Sequence, residues 1–172
     1  MGIHSEDLQR FKEMIERRGS ESGAWRGRLD AGGNQLRGAG AGVLAAAAWA
    51  ASEPLLRRLV GIPYYSDVRL LGRLVTRSRA WPAAGLALHL ANGAAFGAIF
   101  ERRGLRGVKA GIAAAEIENL GLWPALAVID RIHLDRRDGS WPPLARNPNI
   151  ALYEIIAHAL FGAILGALVA RR

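Results

Sequence analysis

NPNIALYEIIAHALFGAILGALVA, from Asn147 to Ala170, interrupts its apolar character only with Glu154 and His158. A helix rises about 1.5 Å per residue, so a run of this length can cross a hydrocarbon layer roughly 30 Å thick. Glu154 and His158 are four residues apart and share one helix face, which Gly162 and Gly166 continue. This polar and small face should contact protein, because ionisable groups are costly in lipid. The stretch predicts a transmembrane helix packed within a bundle.

Three further runs have the length of a bilayer span, and all 23 lysines and arginines lie outside the four runs. These three runs are Gly38 to Leu56, Ala80 to Phe100 and Ala110 to Ile129. The chain is therefore predicted to be an all-α bundle of four transmembrane helices. Pro54 should kink or end the first of them. The short connection after the second run predicts a tight antiparallel pairing of the second and third spans.

Two segments outside the spans carry their own patterns. Residues 1–35 are predicted to form an N-terminal domain, with an amphipathic helix over 5–18 and a flexible linker over 19–35. Residues 36–172 are the predicted membrane domain. Within it, residues 62–82 alternate apolar side chains with arginines, which predicts a short helix in the membrane interface with its arginines on lipid phosphates.

A shift of 69 residues aligns the chain with itself. It places Leu36 to Ala46 on Leu105 to Ala115, and it places the spacing His-x3-Gly-x3-Gly that begins at His89 on the one that begins at His158. Because two separate helices match at the same offset, the sequence predicts two related hairpins, residues 36–104 and 105–172. A shift of 65, which aligns the FGAI sequences at Phe96 and Phe161, is the competing alignment.

The titratable groups within the spans are the candidates for function. The predicted intramembrane polar cluster consists of His89, Glu116, Glu154 and His158. Such a cluster can relay protons or line a transport route. The alternatives are a haem held between His89 and His158, a metal such as zinc or iron on the same groups, and a subunit that assembles through small-residue faces. Those faces are Gly38 and Gly42, Gly93 and Gly97, and Gly162 and Gly166.

Composition narrows the class of protein. The chain has no cysteine and no catalytic motif, so enzyme activity is not indicated. The net charge of +8 comes from arginines at the ends of apolar runs, where anionic lipid headgroups are a simpler partner than nucleic acid. The N-terminal tail, the middle connection and the C-terminus hold 13 lysines and arginines against 10 in the other two loops. This favours cytoplasmic termini. A homo-oligomer or a membrane-protein partner is expected.

Four positions carry a family resemblance: Glu53 followed by Pro54 on the first span, His89 on the second, and Glu154 with His158 on the fourth. With Trp49 and the glycine-rich start of the third span, the chain resembles the YagU-type bacterial inner-membrane proteins over residues 37–170. The resemblance implies a four-span bundle in the inner membrane and a role in acid tolerance. The chain departs from that pattern in a shorter connection after the first span and in Glu116 and Glu118.

Overall fold

The computed structural model describes residues 24–170, and it describes side chains from residue 34 onward. Every regular element in that part of the chain is a helix. In chain order the elements are α1 (Ala24–Leu59), α2 (Asp67–Val75), α3 (Trp81–Arg102), α4 (Gly107–Ile132), α5 (Leu134–Arg137) and α6 (Pro148–Ala170).

Four of these helices are long and apolar enough to cross a membrane. The candidate spans are Asn34–Leu59, Trp81–Arg102, Gly107–Ile132 and Pro148–Ala170. Their outer faces expose large aliphatic side chains, among them Ile117 and Leu120 on α4, which are about 70% exposed. Such a surface is costly in water and favourable in lipid. The predicted all-α fold with four spans is therefore confirmed.

The first helix begins before the predicted span, and of the two effects predicted for Pro54, a kink or an end, the end is not observed. The helix begins at Ala24, inside the segment predicted as a flexible linker, so residues 24–35 are helical in the structure. It also continues through Pro54 to Leu59. A proline costs one backbone hydrogen bond, but in apolar surroundings the other backbone groups have no partner better than the helix itself. The amphipathic helix predicted over residues 5–18 lies outside the described residues.

Glycines bring the spans together in two close pairs. A methyl group on Gly42 would overlap the carbonyl oxygen of Gly93, and one on Gly38 would overlap that of Gly97, so α1 and α3 touch backbone to backbone. A methyl group on Gly111 would likewise overlap the carbonyl of Gly162. The predicted packing faces are thus occupied within the chain and are not free for assembly with a partner.

The two glycine contacts are related by the offset of 69 residues. Adding 69 to Gly38 and Gly97 gives Gly107 and Gly166, and the carbonyl of Gly107 lies where a methyl group on Gly166 would be. Adding it to Gly42 and Gly93 gives the second contact, Gly111 with Gly162. A duplicated hairpin stays a prediction, and this correspondence supports the offset of 69 over that of 65.

Helix α2 is the short helix predicted between the first two spans, and it packs against α3. Ser66 is its N-cap and accepts a hydrogen bond from the backbone N–H of Arg69. A methyl group on Gly72 would overlap the backbone of Trp81, so α2 lies directly on the start of α3.

A buried carboxylate fixes the other face of α2. Asp135, which is fully buried, accepts hydrogen bonds from Arg69 Nε at 2.7 Å and from Arg73 Nη2 at 3.3 Å. These two arginines were expected to reach lipid phosphates, and that expectation is wrong for both. Both guanidinium groups pair with one carboxylate within the protein, and the pairing attaches α2 to α5.

His133 lies beside this ion pair, and its Nε2 is 3.2 Å from the carbonyl oxygen of Leu70. Burial lowers the pKa of His133, as do the charges of Arg73 and Arg69, against the opposing effects of the Leu70 hydrogen bond and Asp135. The folded protein then binds this proton less readily than the unfolded chain, whose histidine pKa is near 6.5. Its contribution to stability is complete above that value and is lost as the pH falls below it.

We therefore expect the unfolding temperature of the detergent-solubilised protein to fall between about pH 7.5 and pH 5. In His133→Gln the fall should be smaller, although the variant starts from a lower temperature because it loses the stacking on Trp141. Thermal unfolding followed by circular dichroism at several pH values measures the fall in unfolding temperature for the wild type and for the variant. Parallel curves for the two proteins would show that His133 does not contribute.

Candidate functional site

A cavity of about 250 Å³ lies among the ends of the helices that are opposite to the glycine contacts. Helix α2 borders it on one side, and α1, α3, α4 and α6 complete the wall. Its polar lining consists of Tyr65, Asp67, His89, Asn92, Glu118, Asn119, Glu154 and His158. Trp49, Trp123 and aliphatic side chains make up the remainder.

Glu53 holds the N-terminus of α2 at the edge of this site. It is only 5% exposed. One carboxylate oxygen accepts a hydrogen bond from Ser66 Oγ at 2.6 Å, and the other accepts the backbone N–H of Asp67 at 2.9 Å. A carboxylate at a helix N-terminus pairs with free N–H groups and with the positive end of the helix dipole. Glu53 therefore caps the N-terminus of α2.

Asp67 and Glu154 form the centre of the site. Asp67 is 7% exposed and Glu154 is 6% exposed, and a single hydroxyl, that of Tyr65, is within hydrogen-bonding distance of both carboxyl groups. Two carboxylates this close together repel each other, which favours a proton held by one of them. The pair is therefore suited to hold one proton out of water.

Two tyrosine hydroxyls complete the hydrogen bonding of this pair. Tyr65 donates to Glu154 Oε1 at 2.6 Å and lies 3.2 Å from Asp67 Oδ1, and Tyr153 donates to Asp67 Oδ2 at 3.0 Å. Burial raises the pKa of Asp67 above its usual range, and the hydrogen bonds that it accepts partly offset this effect. Burial and the neighbouring carboxylates raise the pKa of Tyr65 far above its usual value, so its hydroxyl remains a donor.

Trp49 connects the acid pair to the two histidines. Its Nε1 is 3.3 Å from the hydroxyl of Tyr153. Its ring lies edge-on to both imidazoles, with centroids 5.0 Å from His89 and 4.6 Å from His158. The Nδ1 of His158 is in turn 3.5 Å from Glu154 Oε2. The acid pair, the indole and both imidazoles are thus in one connected cluster.

This arrangement does not suit a haem between His89 and His158. The indole of Trp49 packs edge-on against both imidazoles, with ring centroids 5.0 Å and 4.6 Å away, so a macrocycle ligated by both histidines would have to displace it. In the part of the chain that the structure describes, no three histidine, aspartate or glutamate side chains are placed to hold a metal ion. The residues present therefore fit neither of these two alternatives.

The structure brings three of the four predicted cluster residues to the cavity: His89, Glu154 and His158. Glu116 is not among the lining residues, and Glu118 takes its place. The two glutamates are two residues apart, so they point about 200° from each other on α4. Glu118 lines the cavity together with Asn92 of α3, whereas Glu116 accepts a hydrogen bond from Asn119 on its own helix.

Four residues of the site were not predicted from sequence: Asp67, Tyr65, Tyr153 and Asn92. Asp67 lies in the segment assigned to the membrane interface, where a carboxylate in water would need no explanation. An acid at the start of an arginine-rich helix was the only signal in the sequence. The predicted tight pairing of the second and third spans is also not seen, because the close pairs are α1 with α3 and α4 with α6.

The four spans and the buried polar cluster define the class of protein: it is a small, all-α, multi-pass integral membrane protein. Comparison of the chain with family models, with curated proteins and with solved structures found no match. Its function therefore has to be inferred from the geometry of its own site.

Proposed function

We propose that the protein is a proton-coupled membrane transport protein and that Asp67 and Glu154 hold the proton. The observation that carries this proposal is the pair of buried carboxyl groups bridged by the hydroxyl of Tyr65 beside a cavity. Two carboxyls with no cation between them are a costly way to stabilise a fold. They are a common way to bind and release a proton within a membrane.

The positions of the polar side chains along the helices support a route for protons rather than an isolated proton site. At 1.5 Å per residue, Glu154 lies about 9 Å along α6 from its start, and His158 lies about 15 Å along it. His89 lies about 12 Å along α3 from its start. The polar groups therefore reach from one end of the bundle to its middle. Beyond them the glycine contacts close the bundle toward the ends of α3 and α6.

The predictions about membrane location, acid tolerance and assembly are part of this proposal. Cytoplasmic termini and a bacterial inner membrane follow from the distribution of lysine and arginine and from the YagU resemblance. A role in acid tolerance would suit a protein that binds protons. Assembly as a homo-oligomer or with a membrane-protein partner would have to use the exposed aliphatic faces, since the glycine faces are occupied within the chain.

Infrared spectroscopy of the protein in lipid vesicles tests the shared proton. The wild type should have a carboxylic-acid C=O band at neutral pH, and this band should disappear reversibly as the pH is raised. Glu154→Gln should lose the titrating band, equivalent to one proton per chain, because the amide cannot be deprotonated. Asp138→Asn, which removes an exposed carboxylate in the loop before α6, should keep the band.

Two results would overturn the proposal. A wild-type band that stays constant from acidic to alkaline pH would mean that the proton never leaves and is structural. A titrating band that persists in both Glu154→Gln and Asp67→Asn would mean that the proton is held elsewhere. Size-exclusion chromatography of each variant establishes that it is folded before its spectrum is compared.

A further inference from the structure

The charged groups that line the cavity are acidic. Among the described residues, no lysine or arginine lines it, whereas three carboxyl groups do: Asp67, Glu118 and Glu154. The remaining lining is aromatic and aliphatic, with Trp49 and Trp123 among its members. A ligand of this cavity therefore meets both negative charge and aromatic rings, which suits a cation with an apolar body.

The two histidines present acceptors to this cavity. His89 Nε2 is 3.2 Å from the carbonyl oxygen of Ala46, and a carbonyl only accepts, so Nε2 carries the hydrogen and Nδ1 is an acceptor. His158 Nδ1 is 2.8 Å from the carbonyl oxygen of Glu154, so its Nε2 is the acceptor. Neither acceptor nitrogen has a hydrogen-bond partner within the described chain. His89 is only 6% exposed.

The two asparagines present acceptors as well. Asn119 donates its Nδ2 to Glu116 Oε2 at 3.3 Å, which leaves its Oδ1 as an acceptor, and the residue is only 5% exposed. Asn92 lies beside the Glu118 carboxylate, which can only accept, so its amide N–H group is the one suited to pair there and its Oδ1 is an acceptor too. The lining therefore offers acceptor atoms to the cavity, and a ligand that fills the cavity without donating to them would leave them unpaired at a cost.

We propose that the cavity binds a small protonated amine in exchange for the proton that Asp67 and Glu154 share. The ammonium N–H groups would donate to the free acceptors, and the indoles would cover the apolar body of the amine. When the cation enters, its positive charge replaces that of the proton, which leaves the acid pair for water. The site then has the same net charge before and after the exchange. This inference rests on the proposed function, since it names the substrate class of the same site.

Benzylammonium and benzyltrimethylammonium test the inference, because they share a ring and a positive charge but only benzylammonium has N–H donors. Each is added to the detergent-purified wild-type protein in weakly buffered solution near neutral pH, where both are cations. Binding is followed by calorimetry and proton release by a pH-sensitive dye. We expect one proton released per chain at saturation with benzylammonium. We expect binding of benzyltrimethylammonium to be at least about tenfold weaker, since its methyl groups leave the acceptors unpaired.

Variants assign the binding to the cavity. Glu118→Gln should weaken binding of benzylammonium by about tenfold or more, because it removes one of the negative charges facing the cation. Glu154→Gln should abolish the proton release. Asp138→Asn changes the net charge by the same amount at an exposed position and should bind within about twofold of the wild type.

The outcomes separate the two proposals. If benzylammonium does not bind while the titrating carboxyl band is still present, the proposal that the cavity binds an amine is wrong and the proposed proton site stands. Equal affinity for the two cations would overturn the argument from free acceptors, and binding without proton release would overturn the exchange. Loss of the titrating band itself would overturn the proposed function and the inference together.

Discussion

Gly42→Val and Gly162→Val should each prevent the protein from being purified as a folded species. In the structure a methyl group on either residue falls on a backbone carbonyl of the facing helix, that of Gly93 for Gly42 and that of Gly111 for Gly162. A side chain cannot rotate away from such a clash, since the obstacle is backbone and the overlapping atom is the first of the side chain. The two helices would have to separate. We expect destabilisation of more than about 3 kcal/mol, at the upper end of what overpacking costs.

Gly40→Val and Gly121→Val are the matched controls. Both glycines are helical and lie within spans, and a methyl group on either meets no atom within 4 Å. These variants should elute as the wild type does on size-exclusion chromatography and unfold within about 3 °C of it, because surface changes of this kind cost little. If Gly42→Val also behaves as the wild type, then α1 and α3 do not cross at these glycines.

The spans could be predicted from sequence because the lipid surroundings require helices of a certain length and composition. A helix in lipid must be long and apolar, and both properties are local, so the predicted runs fall within the observed spans or within a residue of their ends. The start of the first helix was not predicted, since residues 24–35 are glycine-rich and polar and have no apolar face. Pro54 did not end the helix, because a local rule for proline does not include the apolar surroundings.

The site was predicted only in part. The periodicity of a helix shows on which face a residue lies, but it does not show which residue of another helix it contacts. Spacing placed Glu154 and His158 on one face correctly. It could show that Glu116 and Glu118 point apart, but not which of them meets α3. The contact between Asp67 and Glu154 joins segments 87 residues apart in the chain. Such pairs have no local signal, and without related sequences nothing in the chain connects them.

The position of Trp49 illustrates the same limit for the haem interpretation. Equivalent depths of His89 and His158 on related helices are what two axial ligands would require. The indole that packs against both comes from a third helix, and its direction depends on how α1 packs against the other two. The spacing of the histidines therefore could not show which side chain of α1 contacts them.

Glu53→Ala should release the N-terminus of α2 and lower the unfolding temperature by about 10 °C, which corresponds to about 3 kcal/mol for a chain of this size. The carboxylate accepts two short hydrogen bonds, from Ser66 Oγ and from the backbone N–H of Asp67, and it stands at the positive end of the helix dipole. Alanine leaves both donors buried without a partner. Glu53→Gln keeps one carbonyl oxygen for the backbone N–H, so it should recover about half of the loss.

Ser52→Ala is the control for Glu53→Ala, since Ser52 is the adjacent residue and bonds only to a carbonyl of its own helix, that of Trp49. It should change the unfolding temperature by less than about 2 °C. The same cap should also control the acid pair, because Asp67 is the first residue of α2 and moves with it. In Glu53→Ala the infrared band of the shared proton should therefore weaken, while in Ser52→Ala it should persist. If Glu53→Ala keeps both its unfolding temperature and its band, then α2 is positioned by Asp135 and its two arginines alone, and Glu53 would be free to carry charge in the transport cycle.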